Sequence, residues 1–111
     1  MSLLPQRILQ AAIPNPSTID YVTPTGKNFI IKEIIFCNVS DSDTNVYMYL
    51  LPNGDTVETT KHNILSKTKV EARETWSALY TAMSLTSGDT LRFACDANSS
   101  VSVNVFAVEV L

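Results

Sequence analysis

The chain has 111 residues, of which 45% are hydrophobic and only 17% charged, and its net charge is −3. That length suits one domain, and so few charges leave surface for a partner chain. The negative sign argues against DNA or RNA, whose phosphates attract basic surfaces. No window approaches the roughly 18 apolar residues of a membrane helix.

Residues 1–17 stand apart, with Pro5, Pro14 and Pro16 around a short apolar piece from Ile8 to Ile13. They are expected as an N-terminal arm or an edge strand, ahead of a domain over 18–111. Pro5 and Arg7 break the apolar stretch, so it does not read as a secretory leader.

Residues 28–37 (NFIIKEIIFC) form a β-branched and aromatic run between turn-forming segments at 23–26 and 38–45, the mark of a strand. Lys32 and Glu33 interrupt it, which predicts a bulge or a partly exposed strand. In 45–51 (NVYMYLL) Val46, Met48 and Leu50 alternate with Tyr47, Tyr49 and Leu51. Both faces are apolar, so this strand is expected to be covered twice.

Pro52-Asn53-Gly54-Asp55 ends the strand in a tight turn. Residues 56–60 and 63–73 read as further strands. Lys61, Lys67, Lys69 and Arg73 interleave there with Glu71 and Glu74, a solvated face. Residues 74–85 fit a helical spacing through Trp76, Leu79, Tyr80 and Met83. Trp76, Ala78 and Tyr80 fit a period of two as well. Strand and loop are expected, since the rest of the chain is β.

Residues 90–95 (TLRFAC) alternate after the Ser87-Gly88-Asp89 turn, with Leu91, Phe93 and Cys95 inward. The last strand, 101–110, alternates through Val101, Val103 and Val105. It then runs apolar without a break, which predicts a bulge near Phe106-Ala107. Turns recur every 8 to 15 residues with no βαβ alternation. The expected fold class is all-β, an antiparallel β-sandwich or jelly roll with an extended N-terminal arm.

Catalytic signals are sparse. His62 is the one histidine, expected at the surface, and no G-x-S-x-G motif supplies a nucleophile. The three glycines all fall at turns, which leaves no phosphate-cradling loop. Cys37, His62 and Cys95 lie too far apart in sequence for paired zinc ligands. The two cysteines read as buried free thiols.

Asp41, Asp43 and Asn45 have the opening spacing of a calcium loop, but Val46 and Pro52 stand where the glycine and the bidentate glutamate belong. A plain turn is expected there. Asn38-Val39-Ser40 and Asn98-Ser99-Ser100 match the glycosylation sequon and are read as turns. No enzyme, metal or cofactor is expected.

The order of segments resembles small β-sandwich structural proteins of tailed-bacteriophage virions. The resemblance is carried by the turn Val22–Lys27, by Ile31–Asn38 as an IKxIxxxN strand, and by Thr44–Pro52 as the next strand. Leu85–Leu91 matches an LxxGDTL turn and Val101–Val110 a VxVxVxGVEV closing strand, with Phe106-Ala107 where that pattern has glycine. It spans about residues 20–111 and rests on structural motifs.

It implies a non-enzymatic virion component (decoration, neck or tail accessory protein) that self-associates as a trimer or higher ring and docks on other virion proteins. The expected location is the virion, assembled in the host cytoplasm. The expected contact groups are Leu3, Leu4, Ile8, Leu9 and Ile13 of the arm with Tyr47 and Tyr49. The alternative is a receptor- or carbohydrate-binding module at a fibre tip, with Trp76 and Tyr80 stacking on a host-surface glycan.

Overall fold

The computed structural model describes residues 3–14, 17–55, 62–96 and 100–111, with Thr81 and Ala82 described by backbone alone. These residues form eight strands: β1 (Leu3–Ala12), β2 (Ile19–Val22), β3 (Phe29–Asn38), β4 (Thr44–Leu51), β5 (Asn63–Val70), β6 (Thr75–Leu85), β7 (Thr90–Cys95) and β8 (Val101–Val110). Sheet A has the order β1-β8-β3-β6 and sheet B the order β2-β7-β4-β5. Neighbouring strands are antiparallel throughout. The first strand pairs with the eighth, the second with the seventh, the third with the sixth and the fourth with the fifth.

The two sheets form a β-sandwich. Period-two alternation buries Val101, Val103 and Val105 of β8 and Leu91, Phe93 and Cys95 of β7 between them. Phe36 of sheet A meets Phe93 of sheet B edge-to-face at 6.0 Å. Aromatic pairs prefer that geometry, so the two sheets interlock at this seam.

The strand expected over 28–37 is β3, and Lys32 is the extra residue of its bulge between Ile31 and Glu33. The bulge expected at Phe106-Ala107 lies elsewhere. β8 alternates without interruption, and the irregularities fall on its neighbours, at Ile8 of β1 and Lys32 of β3. The physical reason is that Phe106 faces out and Ala107 in, so the missing polar break reflects an apolar outer face and no change of register.

Residues 74–85 are strand β6 rather than helix. Opposite Ile31 and Glu33, β6 inserts Tyr80, Thr81 and Ala82 between Met83 and Leu79. Residues 3–12, expected as arm or edge strand, form the edge strand of sheet A against β8. The strand expected over 56–60 lies outside the described residues. β2 was not expected from the sequence.

The turns are fixed by polar side chains that bond to backbone groups and to one another. Asn38 is almost fully buried. Its amide donates to the Ser42 and Val70 carbonyls at 2.8 and 3.1 Å, and its Oδ1 accepts from Ser40. Both ends of that amide are occupied, which leaves a sequon asparagine no use as a glycan acceptor. Asp41 accepts from Arg73 and Asp43 from the Ala72 N–H, so these carboxylates hold the β5–β6 turn. Asp89 accepts from the backbones of Asn53 and Thr86. Gly88 sits at φ 84°, and a Cβ there would fall 2.5 Å from the Asn53 side chain.

His62, expected at the surface, is buried with Nε2 3.2 Å from an Asp55 carboxylate oxygen. That hydrogen-bonding partner lets an imidazole sit inside. Cys95 is buried as expected, whereas Cys37 is only half-buried because its parity on β3 points it outward.

Candidate interaction surface

In an antiparallel sheet, residues directly opposite share a face, so the register of sheet A defines its outer surface row by row. Leu3 stands beside Val110. Pro5, Val108 and Ile30 form the next row, then Arg7, Phe106, Glu33 and Leu79. Further along come Asn104 with Ile35 and Ser77, then Ser102 with Cys37 and Thr75. One end of this face is therefore apolar, built from Leu3, Val110, Pro5, Val108, Ile30, Phe106 and Leu79, and the other end is mixed. Leu3 is 57% and Leu79 79% exposed. Pro5 is exposed as well, and Val110, Val108, Ile30 and Phe106 are half-buried.

The outer face of sheet B has another character. Arg92 donates to both carboxylate oxygens of Asp20, at 2.7 and 2.8 Å. That hydrogen bond, and then the Asp20 charge, raise the pKa of Arg92. Tyr47 and Asn45 both donate to Asp96, at 3.3 and 3.1 Å. Partial burial and then the Asp96 charge push the Tyr47 hydroxyl upward. Tyr49 pairs across to Arg92. This face is already served by internal polar partners.

The contact groups expected from the sequence divide between these places. Tyr47 and Tyr49 lie on the outer face of sheet B, half-buried, whereas Val46 and Met48 of that strand are fully buried in the core. Leu3 lies on the outer face of sheet A. Leu4 is exposed at the sheet edge opposite Glu109. Ile8 and Leu9 pack partly against this chain's own core, and Ile13 is 0% exposed within it. Ile13 is thus corrected from a contact group to a core residue. Its N–H donates to the Val101 carbonyl, and the strand ladder turns it between the sheets.

Sequence reading missed the outward rows of β3 and β8: Ile30, Phe106, Val108 and Val110. Their signal was the unbroken apolar run at 105–108 and the doubly apolar β3. Periodicity alone does not say that these two strands are neighbours.

Trp76 packs on Phe36 at a centroid distance of 6.1 Å and also lines an open cleft of about 250 Å³ with Lys69, Glu71, Glu74 and Thr75. Tyr80 packs partly against the core and is not among the residues lining that cleft. Among the described residues no group of three or more His, Cys, Asp or Glu is placed to hold a metal ion. No helix among them is long and apolar enough to cross a membrane.

A buried carboxylate closes one end of the sandwich. Glu109 accepts from Gln6 Nε2 at 2.7 Å and from Lys27 Nζ at 2.8 Å. The Lys27 hydrogen bond, helped by Gln6, holds its pKa below the ordinary value despite desolvation.

Fold and faces together define a two-sheet antiparallel β-sandwich with one apolar and one polar outer surface. Compared with family models, curated proteins and solved structures, the chain matches none of them.

Proposed function

We propose that the chain is a non-enzymatic assembly module of a tailed-phage virion, a jelly roll that self-associates as a trimer or higher ring and docks on other virion proteins. The observation that carries the self-association is the apolar end of the outer face of sheet A. Four strands spaced by about 4.8 Å, each some ten residues long, make a whole face of roughly 20 by 30 Å, of which the apolar end takes about half. Contiguous apolar patches of a few hundred Å² mark interaction sites, and the mixed end of the face would supply the rest of the about 800 Å² per partner of a stable interface.

Strand pairing of first with eighth, second with seventh, third with sixth and fourth with fifth supports the jelly-roll reading. That architecture serves viral capsid and lectin domains, an argument by analogy of fold. The sequence motifs that resemble phage proteins support virion membership.

Sedimentation of a Phe106→Glu/Val108→Glu variant tests the interface. It is expected to remain folded and to sediment at a lower mass than the wild type. A monomeric wild type, or a folded variant of unchanged mass, overturns the reading. Mass spectrometry of purified particles tests virion membership, which falls if no peptide of this chain is found.

The Trp76 cleft supports a second reading, a glycan-binding module, because an indole floor beside carboxylates suits a sugar face and its hydroxyls. Glycan-array binding lost in Trp76→Ala supports it, and an array without signal removes it.

A further inference from the structure

Among the described residues, sheets A and B end in four edge strands: β1, β6, β2 and β5. An open edge presents unpaired backbone groups that invite a foreign strand, and proteins blunt such edges with charge, proline, bulges or brevity. Three of these edges are blunted. β1 carries Pro5, Arg7 and the bulge at Ile8. β2 has four residues, one of them Asp20. β5 carries Lys67 and Lys69, with Lys67 at a positive φ of 49°.

β6 is different. Its eleven residues, TWSALYTAMSL, hold no charge, proline or glycine. Its first five, Thr75–Leu79, run in unbroken register with β3 ahead of the irregularity at 80–82. Leu79, at 79%, is the most exposed large hydrophobic side chain among the described residues.

Charge selects the occupant. Two identical strands pairing antiparallel about a two-fold axis bring a residue near the axis against its own copy, and like charges facing each other destabilise the pair. Arg7 on β1 and Lys67 and Lys69 on β5 oppose self-pairing. β6 has nothing to repel itself, and an isologous contact of this kind closes without a leftover edge.

We infer that β6 pairs antiparallel with β6 of a second copy, about a two-fold axis near Ser77. Ser77 then faces its counterpart, Trp76 the partner's Ala78 and Thr75 the partner's Leu79. The outward residues of one strand meet the outward residues of the other. Both apolar patches fall on the same side of one eight-stranded sheet. This contact is separate from the face-to-face one, and it rests on the proposed function only in that the chain assembles.

The test is disulfide trapping. In an antiparallel pair, Cα atoms of opposed residues lie about 4.5–5.5 Å apart, within disulfide reach. In a Cys37→Ser background, mildly oxidised Ser77→Cys is expected to give a covalent dimer, and Lys69→Cys on the β5 edge none. Ser77→Lys, folded by circular dichroism, is expected to halve the solution mass. No dimer from Ser77→Cys, together with unchanged mass in Ser77→Lys, overturns the inference.

The same cysteine placed in the Phe106→Glu/Val108→Glu variant separates the two contacts. A trapped dimer there shows the edge pairing standing without the face. No trapping anywhere, with monomers from Phe106→Glu/Val108→Glu alone, leaves the face and removes the edge. A wild type that is monomeric and never traps removes both.

Discussion

The two outer surfaces of this sandwich are built by the same period-two rule and differ in what their outward positions were given. On sheet B, Asp20 meets Arg92, and Tyr47 and Asn45 share Asp96. Each polar group finds its partner within the chain. On sheet A, Val108, Val110, Ile30 and Phe106 stand side by side with Glu33, Arg7 and Ser84 in the adjoining positions. A partly exposed apolar row gains nothing from water, and covering the part of each side chain still open adds a fraction of the about 1.5–3 kcal/mol that complete burial is worth. The difference teaches where a partner is worth having: the face that is satisfied alone has no need of one.

The comparison breaks most completely if the shared seam is removed. Phe36→Ala takes a fully buried ring from between the sheets. It is expected to cost about 3–5 kcal/mol, measured by urea unfolding, and to disable both surfaces alike. Gly88→Ala strikes only the loop end: positive φ and the nearby Asn53 side chain predict a loss of about 1–3 kcal/mol, with solution mass unaltered at temperatures where the protein stays folded.

Asp20→Asn sharpens the contrast, because its partly exposed ion pair with Arg92 is expected to contribute only about 0.2–1 kcal/mol. The same variant leaves association intact, as measured by sedimentation. A fall in oligomer mass would give the polar face a role the comparison denies it.

The smallest effect depends on pH. The Glu109 pKa is lowered in the folded chain, so its contribution to stability is present above its unfolded value and lost as pH falls through the folded one. Lys27→Met raises the folded value toward the ordinary 4.5. The acid-unfolding midpoint is therefore expected to move to higher pH, while stability at pH 7 also falls. An unmoved midpoint removes Lys27 from the account.

Much of the architecture was legible in the sequence because most strands keep a clean alternation. Strands expected over 90–95 and 101–110 have those bounds, and the run at 28–37 is shifted by one residue. What misled the reading was insertion. Between Leu79 and Met83, β6 carries more residues than β3 opposite it, and this changes the parity. Trp76 and Met83, seven apart, thus end on the same side, as they would on a helix.

The Lys32 bulge does the same for Ile31 and Ile34, which are both fully buried. The interaction surface was harder to see. Whether an outward valine is lonely or one of a cluster depends on strand neighbours distant in sequence, and no local pattern encodes them. Ile13 shows the converse, since an apolar residue in a proline-flanked segment gives no sign of which side will receive it.

The pairing of first strand with last also bears on how the chain reaches this shape. β8 lies between β1 and β3, so sheet A has no centre until its final strand has been synthesised. A nascent chain halted before Val101 holds β1 without its sheet partner and β3 with one side bare. Contacts between such distant segments slow folding, and the waiting strands are then the ones most exposed to aggregation. Sheet A is accordingly completed only once β8 has been made and enters the gap between β1 and β3.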